Sequence, residues 1–348
     1  MLTKANPLLP GLWPLINGNV LLNLLQSRFS LLTFAGMIDF IRRFKMTYVV
    51  YNFFHRKELL HNSLLYKKYG LKKKYFSSIS SKDFRNAPVT GSLPAANAAL
   101  SNTALYQASS TQNQESILSY AANGFLVLRN YLTTLQADAL NAEVERLVKS
   151  GTVKPGHRNK IMFAIHHSAL LRSIDEEKKL KDFLAVLMEG EPVLFQSINF
   201  VMGSEQHTHS DSIHMTTYPQ GGLLGVWIAL DDINENNGPL HYYPGSHLLP
   251  YYLNSDYDNE GSACLLGNKS YDAYEAMIAA KIEEKGIQKK IFTARKGDLL
   301  VWHANLFHGG EPHSDKNLTR KSMVLHYFKK DAICYHEITQ RPALIKMQ

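Results

Sequence analysis

Cysteine is scarce in this chain: Cys264 and Cys334 are the only two, and they lie far apart. Two such residues cannot build a disulfide framework, and a cysteine-based metal site is excluded by count, so the expected compartment is reducing and cytoplasmic. Long apolar runs are also missing. Asn, Gly, Pro and Arg interrupt every candidate in the first 85 residues before it reaches the roughly 20 residues a membrane-spanning helix needs. The amino end carries only Lys4 and no compact apolar core followed by a small-residue cleavage site, which argues against a signal peptide. No helix-turn-helix signature or zinc-finger spacing occurs, so nucleic acid is not expected as the main partner. Acidic residues are rare at the start: residues 1–90 hold 14 Lys+Arg against 3 Asp+Glu, or +11, whereas the remainder holds 24 against 27, or −3.

What is present describes a globular protein. Of the 348 residues 45% are hydrophobic and 20% charged, enough for one large domain or two modest ones with a real core. A basic, amphipathic extension is expected over residues 1–85, with Leu21, Leu24, Leu25, Leu31, Leu32, Ala35, Ile38 and Ile41 at mostly helical spacing. Two readings of this extension stand side by side. It packs against the catalytic domain or a second subunit, or it lies on an anionic membrane as a peripheral contact. Residues 86–113 carry no charge between Arg85 and Glu115 and read as a linker.

A domain is expected from 114 to 338. It opens with a short helix, a turn at Asn123-Gly124 and a strand Phe125–Leu128. Helices follow over Thr133–Lys149 and Ala169–Glu189, then strand-like runs at Val193–Met202, Gly222–Leu230, Gly297–His303 and Lys321–Phe328. An insert at 252–290 carries a helix from Tyr271 to Lys285. Helices first and short strands after, with turn signals, predict a mainly β fold with flanking helices: a jelly roll or double-stranded β-helix.

The chemistry centres on His209-Ser210-Asp211. Residues two apart on a strand share a face, so an imidazole and a carboxylate can converge on one small object. A third histidine would complete the 2-His-1-carboxylate set of non-haem Fe(II) sites. His308, in Ala304-Asn-Leu-Phe-His-Gly-Gly310, follows a strong strand and precedes a turn; His303 and His313 compete with it by sequence. Arg320, at the start of the next strand, is placed to clamp a dicarboxylate from inside a barrel. The bland readings are a core histidine, a turn aspartate and a surface arginine.

The segments Asn123-Gly124-Phe-Leu-Val-Leu-Arg129, His209-Ser-Asp211, Trp227-Ile-Ala-Leu-Asp-Asp232, Asn237-Gly-Pro-Leu240, Pro244-Gly-Ser-His247, Gly297-Asp298 and His308-Gly309 together resemble the phytanoyl-CoA dioxygenase family, in the family's order, across roughly residues 115–330. The resemblance implies Fe(II) held by His209, Asp211 and His308, and 2-oxoglutarate held by Arg320, with Trp227 lining its pocket. Lys160 falls near a family lysine that reaches the co-substrate, and Gly310 stands where several members carry a hydroxyl. His247 is expected to fix its turn, and His207, Ser212 and His214 to support the ligands. Because Asp211 fills the position that related halogenases leave open for chloride, hydroxylation is the implied outcome. Succinate and CO2 would be released, with O2 consumed and ascorbate stimulatory. A small-molecule or acyl-type, lipid-like substrate is implied, and oligomeric state is left open. The non-enzyme alternative is a catalytically silent β-helix scaffold tethered by its basic head.

Overall fold

A computed structural model describes residues 40–85, 97–156 and 159–345. Side-chain alternation along the central strands sorts the sequence into two apolar layers. In β5 (Leu223–Ala229), buried throughout, Leu224, Val226 and Ile228 face one way and Trp227 and Ala229 the other. Both faces must therefore be covered, which explains a strand that reads as a continuous apolar run. The outer layer meets helices α3 (Thr111–Leu118), α4 (Thr134–Lys149), α5 (Ala169–Glu176) and α6 (Lys178–Leu187), whose apolar stripes include Ile117, Leu140, Leu171 and Phe183. The inner layer holds Ile198, Trp227, Leu300, Trp302 and Val324.

Five further strands complete a six-stranded antiparallel sheet in the order β1-β8-β5-β10-β3-β2. They are β1 (Phe125–Leu128), β2 (Lys160–Met162), β3 (Pro192–Phe200), β8 (Leu299–His303) and β10 (Ser322–Lys329). A three-stranded sheet, β7-β6-β9, is built from Lys290–Phe292, Leu240–Tyr242 and His308–Gly310. It closes over the inner layer: Tyr242 packs on Phe125 with ring centroids 4.1 Å apart, and Phe292 lies edge-on to Trp227 at 5.7 Å. The other three-stranded sheet is β12-β11-β4, from Arg341–Pro342, Ile333–His336 and Thr216–Tyr218. The fold is the expected jelly roll with flanking helices. Residues 1–39, which carry most of the predicted amphipathic helix, lie outside the described residues.

From Lys45 onward the basic extension is folded onto the body. Helices α1 (Lys45–Phe53) and α2 (Leu60–Lys68) bury Tyr48, Asn52, Leu65 and Tyr66. Asn62 locks α2 to β11, donating to the Cys334 carbonyl and accepting the Cys334 N–H at 2.8 Å. The stretch read as a linker needs correction. From Asn97 on it forms short helices, Asn97–Ser101 and Ala104–Gln107, ahead of α3, with Leu100 and Leu105 in the core. Its Thr103 and Ser110 hydroxyls, which looked like loop composition, accept hydrogen bonds at helix N-termini. Residues 86–96 are outside the described set.

Candidate active site

The His209-x-Asp211 pair is not the end of a long strand. β3 stops at Phe200, and the chain rejoins the fold at His209 as an isolated bridge to His308, the first residue of β9. The two residues exchange backbone hydrogen bonds of 2.9 and 3.0 Å, which brings their rings to 4.6 Å between centroids. Ser210 stays extended (φ −108°, ψ 139°), and Asp211 then opens a 3-10 turn over Asp211–Ile213. The aspartate converges with the histidines through this bridge and turn, so the expected convergence holds by a different local geometry.

Hydrogen bonding fixes the imidazoles. His209 Nδ1–H donates to the His207 carbonyl at 2.8 Å and His308 Nδ1–H to the Leu306 carbonyl at 2.9 Å. A carbonyl can only accept, so the Nδ1 atoms carry the protons and both Nε2 atoms are unprotonated, that of His209 accepting from the Gln206 amide at 3.2 Å. They sit 3.7 Å and 3.8 Å from Asp211 Oδ1. Among the described residues, these three form the one set of His, Cys, Asp and Glu side chains whose ligand atoms, all within 4.8 Å of one another, could hold a metal ion. Burial pushes His308 down to about 4, which keeps it neutral. Burial also opposes the charge on Asp211, but His308, His209 and His326 outweigh it and hold the carboxyl well below its usual range. Two neutral imidazoles and one carboxylate are a donor set that fits Fe(II) with positions left open.

The other oxygen of Asp211 is occupied by the protein. Trp302 Nε1–H donates to Oδ2 at 2.8 Å, and His326 Nε2 lies 3.5 Å from it. Sequence reasoning assigned neither residue a role. Both alternate with inner-layer apolar residues, Leu300 before Trp302 and Val324 before His326, which was the available signal. Trp302 reaches Asp211 across Gly225 of β5, its cross-strand partner: a Cβ there would lie 2.2 Å from Trp302 Cε2.

Arg320 is 1% exposed, and burial lowers its guanidinium to about 10. It stacks 5.8 Å from the Trp227 ring, and its Nε has no hydrogen-bond partner. No carboxylate pairs with it among the described residues. A buried, unpaired cation is costly, so a site that keeps one fits an anionic ligand. Asp231 positions the segment, accepting from Thr319 Oγ1 at 2.6 Å and from the Lys321 N–H at 3.0 Å. Trp227 Nε1 is likewise buried without a partner.

Further polar groups stand beside the ligands. Gln206 Nε2 is 3.2 Å from His209 Nε2, and Lys160 Nζ is 3.4 Å from Gln206 Oε1. The insert helix α7 (Tyr271–Lys285) contributes Tyr271, whose hydroxyl meets His214 Nε2 at 2.8 Å and also bonds Gln206. Its next turn holds the motif itself, since Tyr274 accepts the Ser210 N–H at 3.4 Å.

The remaining histidines go elsewhere. His207 contributes its carbonyl, with an exposed side chain. His303 packs on His247 at 5.5 Å, and His313 bridges Asn237. His247 bonds the Ala121 carbonyl and fills the space over Gly124, a left-handed turn residue at φ 79°. Ser212 Oγ is buried without a partner. A side chain at Gly310 would press on Ser204 Oγ at 3.2 Å. Several family-like motif residues prove structural: Asp298 accepts from Arg129 Nη1 at 2.6 Å and from the Asn130 N–H at 2.9 Å, tying the end of β1 to β8.

A family model described as Phytanoyl-CoA dioxygenase (PhyH) matches residues 120–322. The chain is 37% identical over 178 residues to phytanoyl-CoA dioxygenase domain-containing protein 1 of Rattus norvegicus, covering 49% of this chain and 56% of the rat protein. The mouse counterpart is 28% identical over 177 residues, with 48% and 56% covered, so the chain spans little more than half the length of these relatives. Ectoine dioxygenase of Bordetella bronchiseptica is 24% identical over 216 residues, with 56% of this chain and 68% of that protein covered. Among solved structures, the non-heme alpha ketoglutarate dependent carbocyclase SnoK superposes with a TM-score of 0.55 at 16% identity, over 70% of this chain and 95% of SnoK. The apoform of EctD from S. alaskensis gives 0.50 at 16% identity, over 69% and 84%. At such identity these two share the fold. The family match, spanning more than half of the sequence, settles the relationship: the chain belongs to the phytanoyl-CoA dioxygenase family.

Proposed function

We propose that this chain is an Fe(II)- and 2-oxoglutarate-dependent dioxygenase that hydroxylates a small-molecule or lipid-like substrate, releasing succinate and CO2. The observation that carries the reading is the convergence of two unprotonated Nε2 atoms on the Asp211 carboxylate, beside a buried Arg320 that has no carboxylate partner among the described residues. A relative described as an ectoine dioxygenase and the family match support the same class of chemistry.

When bound, iron and 2-oxoglutarate supply O2 activation coupled to oxidative decarboxylation. The protein's part is placement. His209, His308 and Asp211 would hold the metal, and Trp302 keeps the carboxylate turned so that Oδ1 faces the imidazoles. Arg320 would take the distal carboxylate of the co-substrate through a charge-assisted pair, with Trp227 flanking it. Burial of these groups excludes bulk water, and Gln206, Lys160 and Tyr271 present polar atoms where substrate enters. With Asp211 filling its ligand position, hydroxylation is favoured over halogenation.

Purified protein given Fe(II), ascorbate and 2-oxoglutarate should release succinate slowly without substrate and faster with the right one. His209→Ala should abolish the release, and Arg320→Ala should raise the 2-oxoglutarate KM by orders of magnitude. Equal succinate release by wild type and His209→Ala would overturn the enzyme reading and favour a silent scaffold.

A further inference from the structure

Exposed apolar side chains are concentrated at one end of the described chain: eight of the thirteen large exposed hydrophobics lie between Phe40 and Leu64. On α1, Met46, Val50 and Phe53 follow i, i+4, i+7 spacing and form one stripe opposite the buried Tyr48 and Asn52. Phe54, 73% exposed, extends it. The stripe continues through ring contacts, with Phe53 meeting Phe54 at 5.6 Å, Tyr75 at 6.4 Å and Phe76 at 5.7 Å. Cations are interleaved: Arg56 lies over Tyr75 and Lys74 over Phe76, with ring-centroid distances of 5.8 and 5.7 Å. Residues 40–85 hold 12 Lys+Arg against 2 Asp+Glu, or +10, and Asp83 is already paired with Lys73.

We propose that this face of α1, with the 72–76 loop beside it, docks the protein onto an anionic lipid bilayer. Aromatic and aliphatic side chains set between lysines and arginines are what an interfacial surface needs: the apolar groups enter the headgroup boundary while the cations meet lipid phosphates. The protein would lie on the membrane rather than cross it, since no described helix is long and apolar enough to span. A second copy of the chain is a poor occupant, because a two-fold contact would set two strongly basic surfaces against each other. Nucleic acid would use the cations but leave Met46 and Val50 without a role. The surface also connects to the candidate site. Phe44 forms a β-bridge with Leu265, and the Lys45 N–H donates to the Cys264 carbonyl, in the insert whose helix α7 brings Tyr271 to His214 beside the candidate ligands.

The test is flotation of the full chain with phosphatidylcholine vesicles, with and without phosphatidylserine, at low and high salt. Binding should require phosphatidylserine and weaken with salt. Two exposed-face variants, Met46→Ser/Val50→Ser/Phe54→Ser and Lys57→Glu/Lys72→Glu/Lys74→Glu, should each lose affinity on the order of tenfold or more, with unchanged thermal unfolding. The proposal fails if the parent does not float with anionic vesicles at low salt, or if both variants float as the parent does. It also fails if the apolar stripe proves to be covered in solution, shown by a dimer that the serine variant dissociates, or if single-stranded RNA binds this face and vesicles do not.

Discussion

Two side chains outside the metal's ligand set bear on how the site holds what it binds. The Trp302 indole donates to Asp211 Oδ2, leaving Oδ1 toward the histidines. Trp302→Phe keeps a ring over Gly225 but removes the donor, so divalent-metal affinity should fall roughly 10- to 100-fold with little loss of fold; Co(II) titration followed by its visible absorption reads this directly. Arg320 presents the opposite balance, because its buried guanidinium has no counter-ion among the described residues. Arg320→Met should therefore raise the melting temperature of the ligand-free protein, by the equivalent of about 1–4 kcal/mol, while abolishing the stabilisation that 2-oxoglutarate gives the parent. A lower melting temperature for Arg320→Met would mean that the guanidinium is satisfied in the free protein. The candidate ligands were legible as a set, since two histidines, an aspartate and an arginine near strand-like runs jointly suit a metal and an anion. Trp302 and His326 were not, because only cross-strand register brings them to Asp211.

At the scale of elements, period-2 and period-3.6 patterning located the main strands and helices closely: Phe125–Leu128 and Tyr271–Lys285 formed as read, and the run Gly297–His303 formed its strand over Leu299–His303. The failures have physical causes. The single helix expected over Ala169–Glu189 breaks at Glu177, whose carboxylate caps the second helix by accepting from Lys179 and Leu180 N–H. The charged run Asp175–Lys179 spans the break, and such a run suits a solvated helix face as well as a junction. Strands of two to four residues, such as β2, β9 and β12, are set by their partners rather than by local pattern. Gly225 shows how an element can be read correctly while its function stays hidden. In sequence it is a weak point in an apolar strand, whereas in the sheet it is the gap that Trp302 crosses. Gly225→Ala should cost about 1–3 kcal/mol, through displacement of that ring, and should weaken Co(II) binding as Trp302→Phe does. Loss of stability with unchanged metal affinity would separate the strand's packing from the site.

Across the whole molecule, the buried histidines make stability depend on pH. Burial lowers His214, His303 and His336 to about 3, and His241 and His308 to about 4. An unfolded histidine takes up its proton near pH 6.5. Between about 6.5 and 4 the unfolded chain therefore binds more protons than the folded one, and stability falls as pH falls. Glu337 opposes this: burial raises its carboxyl, so it contributes stability at low pH that is lost as pH rises. It is one group against five, and the histidines set the sign. The melting temperature of the metal-free protein should drop steadily from pH 7 to pH 5. Added divalent metal should raise it at pH 7, because it binds the folded chain. A melting temperature flat over that interval would mean that these imidazoles are hydrated in solution, and that the closed core around the candidate site opens.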